Sequence, residues 1–235
     1  MPSPSPLISE IAASASATLL IGVASPKLTA YALVLIAGLT VVNPSAITAC
    51  APEAFEQRYR TDQDPWRFAT SAYERERYAV TIESLTRDRY ANAFEPGCSI
   101  GELTALLAPL CDRLLATDVS PTAVEKARQR CAGYDNVRVE CGDVRTTALD
   151  TPLDLIVLSE LAYYFEPQQL EALCDRLAAA LSVGGTLLAV HWLGESADHI
   201  LHGDEAHEIL LRRLPLRHVV AKRYVGFRLD LWRRA

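Results

Sequence analysis

From Ala91 to Trp192 the chain alternates short β-type runs with helical stretches, and this alternation restricts the fold more than any other feature. The runs at 91–95, 113–118, 137–141, 153–159 and 186–192 are rich in Val, Leu, Ile and Ala. The stretches 102–110, 121–131 and 168–181 carry apolar residues at helical spacing. Strands alternating with helices predict a parallel sheet with right-handed crossovers. Ser120 and Pro121 are suited to start a helix, and Gly133 to stop it. The run 153–159 is apolar enough to lie centrally in a sheet. Helices are also predicted over 68–87 and 204–214. The segments 216–224 and 227–232, alternating around Gly226, predict a closing antiparallel hairpin. The expected class is α/β: a Rossmann-like, seven-stranded, mostly parallel sheet with a C-terminal antiparallel hairpin.

Composition divides the chain near residue 50. Glu10 and Lys27 are the only charged side chains from Met1 to Cys50, whereas composition is ordinary from Glu53 onward. The expected organisation is an apolar extension of uncertain role over 1–52 and one domain over 53–235, long enough for a buried core. The uncharged run 28–42 is shorter than the roughly 20 apolar residues that span a bilayer. Ile47-Thr48-Ala49-Cys50 resembles a lipoprotein processing box, yet no basic cluster opens the segment. A weak anchor, a packed or disordered extension, and residues upstream of the true start all stay open. Any membrane association is confined to residues 28–50. The formal net charge of −6 argues against a general grip on nucleic acid. Six cysteines with no C-x-x-C pair are read as reduced, mostly buried thiols of a cytoplasmic protein, and no metal site is expected.

In a doubly wound sheet, ligands bind at the carboxyl ends of the strands. The first strand runs into Glu95-Pro96-Gly97-Cys98-Ser99-Ile100-Gly101. Gly97 and Gly101 allow a sharp turn and close backbone approach, with Cys98 in the same loop. Glu95 is expected to take an amino-acid ammonium directly or through water. Asp118, followed by Val119, ends the second strand and is placed to accept hydrogen bonds from a ribose diol. Gly142-Asp143-Val144 closes the third, with a carboxylate for an adenine amino group and Val144 against the ring. Ser159-Glu160 ends the fourth and is followed by Tyr163 and Tyr164. The succession of acid-glycine loop, Asp, Gly-Asp and Glu-aromatic suits S-adenosylmethionine. It suits a nicotinamide dinucleotide less well, because G-x-G-x-x-G is absent.

From about Phe55 to Arg234 the chain resembles the nodulation protein S-like family of class I methyltransferases. The resemblance rests on Asp64-Pro65-Trp66, Ser71-Ala72-Tyr73-Glu74, Ser159 to Tyr164, His191-Trp192, and His202-Gly203-Asp204-Glu205-Ala206-His207-Glu208. It implies N-methylation of an amine on a sugar-like or small-molecule acceptor, with S-adenosylmethionine as cofactor. An amine must lose its proton before it attacks, so a base or an orienting carboxylate is expected. Glu160, His191 and His207 are the expected catalytic groups, His191 on the same face as Glu160. Trp66 is expected over the cofactor as part of a lid. Tyr73, Tyr163, Tyr164 and Trp192 are expected to line the acceptor groove, and Asp204 and Glu205 to clamp sugar hydroxyls. The alternatives are O-methylation of a small metabolite, a nicotinamide-dependent oxidoreductase, and a non-catalytic tethered binding protein.

Overall fold

The computed structural model describes residues 49–235, so the apolar run 28–42 lies outside the described residues. Among these, no helix is long and apolar enough to cross a membrane. Seven strands form one sheet: β1 (Ala93–Pro96), β2 (Leu114–Asp118), β3 (Val137–Cys141), β4 (Leu153–Ser159), β5 (Leu181–Trp192), β6 (Arg217–Arg223) and β7 (Phe227–Arg233). Their order is β3-β2-β1-β4-β5-β7-β6. The first five are parallel, and β7 runs antiparallel between β5 and β6. Among the described residues, six α-helices accompany them: α1 (Pro52–Thr61), α2 (Ala72–Glu83), α3 (Glu102–Leu107), α4 (Pro121–Arg130), α5 (Pro167–Ala180) and α6 (Gly203–Arg213).

The pleat of each strand sorts its side chains onto two cores, because successive residues point to opposite faces. Leu155 and Val157 of β4, Leu188 and Val190 of β5, and Leu229 and Leu231 of β7 pack with Tyr78 of α2 and with Leu103 and Leu107 of α3. Ile156 and Leu158, Leu187 and Ala189, and Trp232 pack on the other face with Leu170, Leu173 and Leu177 of α5 and with Leu210 of α6. A fully buried Leu contributes about 1.5–3 kcal/mol relative to exposure, so these two layers supply the main drive to fold.

Three local departures from the sequence expectation have physical causes. The helix expected from Phe68 begins only at Ala72, because Asp64 captures the N–H groups of Phe68 (2.7 Å) and Ala69 (2.9 Å) in a loop. β5 begins at Leu181, ahead of the Gly184-Gly185 pair. There the N–H of Gly184 and the carbonyl of Gly185 both bond Arg234 (2.8 and 2.9 Å), so the ladder continues through the glycines. α1 is absent from the sequence expectation. It starts on Pro52, and its Glu56 accepts bonds from Ser120 Oγ (2.7 Å) and from the N–H of Thr122 (3.1 Å), which ties it to the start of α4. The cap on α4 is as expected: Ser120 Oγ accepts from the N–H of Ala123 (3.1 Å).

Gly101 at the start of α3 has φ +81°, and a Cβ there would lie 3.0 Å from the Cα of Ala127 in α4. Gly101→Ala is therefore expected to destabilise the domain by about 2–4 kcal/mol, combining left-handed strain with overpacking. Urea unfolding checks this, and a loss below 0.5 kcal/mol would contradict the tight α3–α4 approach.

Candidate functional site

At the carboxyl ends of the parallel strands lies a cavity of about 540 Å³. Gly97, Asp118, Val119, Gly142, Asp143, Val144 and Glu160 line it from the strand ends, together with Trp66, Tyr73, Tyr163, Tyr164 and Trp192. Glu95, Cys98 and Ser159 instead border a crevice of about 20 Å³ that shares Gly97, Ser99 and Glu160 with the main cavity. Gly101 lines neither.

The β1 loop is held in an unusual shape. Gly97 has φ +73° and Ser99 has φ +53°. Ser99 tolerates this because its N–H donates to Asp118 Oδ2 (2.9 Å) and its hydroxyl accepts from Tyr59 Oη (2.5 Å). Asp118 Oδ1 accepts from the N–H of Ser120 (2.9 Å), so the carboxylate braces two loops while still facing the cavity. Burial lifts Asp118 to about 6, against the pull of those backbone donors. Burial lifts Glu95 further, to about 8, and its Oε2 has no hydrogen-bond partner among the described residues. Burial would raise Asp143 too, but Arg145 holds it below the usual carboxylate range, with Nε 2.9 Å from both oxygens.

Glu160 sits at φ +53° just past β4. Its Oε1 accepts the N–H of Trp192 (2.7 Å) and pairs with Arg77 Nη1 (2.5 Å). Its Oε2 accepts from Tyr163 Oη (2.8 Å). Arg77, from α2, is 1% exposed and also binds Glu74, Nε to Oε2 at 3.1 Å. Both Glu160 oxygens are therefore engaged, which makes this carboxylate a brace for the turn and not an open proton acceptor.

The expected roles of His191 and His207 are corrected by the pleat. Leu187, Ala189 and His191 share the α5–α6 face, while Trp192 faces the cavity. His191 and His207 are fully buried and line no part of the cavity. The N–H of Ala162 donates to His191 Nε2 (3.0 Å), so Nδ1 must carry the proton and donate to His207 Nε2 (3.1 Å). His207 Nδ1 then donates to Asp230 Oδ2 (2.6 Å). Burial holds His191 well below its usual pKa, and it lowers His207 despite the attraction of Asp230. Two neutral rings thus link the Ala162 turn to a buried carboxylate, which also accepts from His218 Nε2 and Arg228 Nε (both 2.8 Å).

Asp204 and Glu205 likewise lie away from the cavity. Asp204 is ion-paired with Arg223 (2.5 Å) and Arg228 (3.3 Å). Glu205 Oε2 accepts the N–H of His202 (2.7 Å), a capping-box arrangement at the start of α6. Their first-turn positions are explained by helix capping and ion pairing.

Sequence reasoning missed the wall built by α1 and by the loop before α6. Phe55, Tyr59 and Trp66 pack edge to edge or tilted, with Phe55–Trp66 centroids 6.3 Å apart and Tyr59–Trp66 centroids 5.4 Å apart. Arg58 pairs with Asp198 (2.7 Å), and Cys50 Sγ donates to the Asp198 carbonyl (2.9 Å). His199 stacks on Tyr163 with centroids 3.8 Å apart. The i, i+4 aromatic pair Phe55/Tyr59 was the available signal.

A sheet in this order, with acid and glycine loops at its carboxyl ends, has the fold of class I S-adenosylmethionine-dependent methyltransferases. The chain belongs to the nodulation protein S (NodS) family, whose sequence model matches residues 52–203. Nodulation protein S of Bradyrhizobium diazoefficiens is 36% identical over 139 residues, 58% of this chain and 65% of that protein. The match to nodulation protein S of Sinorhizobium fredii spans 49% of it, so the matched region covers half to two thirds of these relatives. The crystal structure of the N-methyltransferase NodS from Bradyrhizobium japonicum WM9 with S-adenosyl-L-homocysteine superposes with TM-score 0.66 at 26% identity, covering 77% of this chain and 97% of that one. A Pseudomonas syringae protein provisionally assigned as a methyltransferase gives TM-score 0.62 at 42% identity, covering 70% of this chain and all of that one.

The hydrogen-bond chain predicts an observable tautomer. Long-range ¹H–¹⁵N spectra should show Nδ1–H forms for His191 and His207, both still neutral at pH 6.5, where a free histidine is half protonated. Titration of either ring near 6.5 would contradict the chain. Glu95 makes a pH prediction of opposite character. Its folded-state pKa of about 8 exceeds the unfolded value of 4.5, so the native state loses stability as pH rises between those values. Glu95→Gln should therefore gain stability relative to the parent protein from pH 4.5 to 8; a pH-independent difference would show that Glu95 is not buried as described.

Proposed function

We propose that this protein transfers the methyl group of S-adenosylmethionine to an amine on a sugar-like or small-molecule acceptor. The observation that carries the reading is the convergence of Gly97, Asp118, Asp143, Val144 and Glu160, from four successive strand ends, on one cavity. Family membership and the bound S-adenosyl-L-homocysteine in the Bradyrhizobium japonicum relative support it.

The residues present fit the cofactor. A volume of about 540 Å³ lies within the usual range of small-molecule sites, roughly 300–1,000 Å³. At Gly97 a side chain would press on Leu161 Cδ1, 3.2 Å from a Cβ there, and the bare backbone is left to approach a ligand. Asp118, with one donor on each oxygen, keeps lone pairs for a ribose diol. Val144 is available against an adenine face. Glu95, with an unpartnered buried oxygen beside a crevice large enough for one water, suits an ammonium reached through that water.

A bound S-adenosylmethionine supplies an activated methyl on a sulfonium. The chain then has to align donor and acceptor and exclude bulk water. Phe55, Trp66, Tyr73, Tyr164 and Trp192 form an aromatic wall suited to stacking on sugar faces. Glu160, held by the Trp192 N–H, the Tyr163 hydroxyl and its ion pair with Arg77, fixes the turn that presents Tyr163 and Tyr164. The His191–His207–Asp230 chain holds the same turn from below.

Calorimetry with S-adenosyl-L-homocysteine and with NADH should give binding of the former alone. Asp118→Ala should weaken that binding by about 1–3 kcal/mol, the cost of leaving polar groups unpaired. NADH binding in its place would end the methyltransferase reading, and unchanged affinity would limit Asp118 to bracing its two loops. Transfer of radiolabelled methyl to glucosamine oligomers, and not to their N-acetylated forms, is the expected acceptor result; transfer to hydroxyls alone would overturn the amine assignment.

A further inference from the structure

We infer that Glu74 is the group that receives the acceptor's amine, an inference that rests on the methyltransferase reading above. Glu74 belongs to α2, is 7% exposed, and lines the cavity. Its Oε2 is bound by Arg77. Its Oε1 makes no hydrogen bond among the described residues. The other carboxylates of the cavity wall are differently placed, and Glu166 is spent on the capping box at the start of α5. Glu160 has both oxygens taken by Trp192, Arg77 and Tyr163. Asp143 is held by Arg145, and Asp118 stands at the ribose end.

Charge counting points the same way. Arg77 is the shared cation of Glu74 and Glu160, one buried guanidinium between a buried and a partly buried carboxylate. The cluster therefore carries one uncompensated negative charge beside a largely apolar wall, where an unpaired charge is costly. An alkylammonium entering the cavity supplies the missing positive charge; a neutral hydroxyl does not. Of the basic groups on the wall, Arg145 is neutralised by its ion pair with Asp143, and burial holds His199 below its usual pKa, so neither supplies the missing charge. Burial also raises Glu74, with the neighbouring charges of Glu160 and Asp64 adding to that and Arg77 opposing it. A carboxylate raised in this way accepts a proton more readily than a free one.

The step balances. The ammonium gives one proton to Glu74 Oε1, and the freed nitrogen lone pair forms the N–C bond to the methyl. The S–C bond breaks with its electron pair returning to sulfur, leaving a neutral thioether. Glu74 then releases its proton to solvent.

The test uses calorimetry on the full chain loaded with S-adenosyl-L-homocysteine, with a glucosamine tetramer and its fully N-acetylated counterpart as probes. The parent protein should bind the amine form at least 10-fold more tightly than the acetylated form. Glu74→Gln should bind S-adenosyl-L-homocysteine within about twofold of the parent yet lose that amine preference, and Glu74→Asp should restore part of it. In turnover assays Glu74→Gln should lose at least 10-fold in kcat/KM at pH 7 and recover as rising pH deprotonates the amine itself. Absence of an amine preference in the parent, or its persistence in Glu74→Gln, overturns the inference while leaving cofactor binding intact. Failure of the parent protein to bind S-adenosyl-L-homocysteine overturns the functional reading and this inference with it.

Discussion

The turn that follows β4 is the point on which the site depends. Glu160 occupies the left-handed region, which costs a non-glycine residue about 1–2 kcal/mol. That cost is offset by contacts from two separate elements, α2 and β5. Arg77 reaches in from α2, and the N–H of Trp192 from the end of β5. His191, also from β5, accepts the N–H of Ala162 two residues further on. Such strain persists only where the surroundings over-determine it. Here it sets the direction in which the chain leaves β4, and hence the placement of Tyr163 and Tyr164 on the cavity wall.

The same turn explains why so much buried charge lies around an otherwise ordinary α/β core. Asp230 is fully buried and accepts from His207, His218 and Arg228. Arg77 is buried between Glu74 and Glu160. Buried ion pairs of this kind contribute little net stability, because desolvation consumes most of the Coulombic gain. Their energetic consequence lies in geometry. Removing one partner strands a charge in low dielectric, so the intact arrangement is strongly preferred over its neighbours. One network fixes the turn from the α2 side and the other from the α6 side, and the sheet lies between them.

The strand-end half of the site was legible in the sequence because its logic is local. A strand that runs into glycine, an acid that ends the next, and a Gly-Asp after the third need only chain order to be grouped. Gly97, Asp118, Asp143 and Glu160 could therefore be placed near one another without coordinates, and the seven-strand architecture followed from alternation and the terminal hairpin. What failed was parity. His191 and Trp192 are adjacent, and a pleated strand sends them to opposite faces; Leu187 and Ala189 on one side and Leu188 and Val190 on the other fix which is which. Counting back through that alternation places His191 beneath the sheet. Asp204 and Glu205 misled for a different reason: acids in a first helical turn serve the cap equally well, and pattern alone cannot separate cap from clamp.

The helical half was not legible because its contacts join distant segments. α1 is held at the cavity by partners far along the chain, Ser120 and Thr122 for Glu56 and Asp198 for Arg58. Tyr59 reaches Ser99, a residue whose backbone would relax without that bond and the one to Asp118. The α1 helix therefore does more than cover the opening. Through Tyr59 it steadies the β1 loop, and through Glu56 it steadies the turn after β2, the two loops that Asp118 already joins. A helix that lies outside the sheet thus helps set the backbone geometry of the loops with which the strands end. The division of the site into strand-borne and helix-borne halves is a division of the sequence signal, whereas in the folded molecule both halves share the same hydrogen bonds.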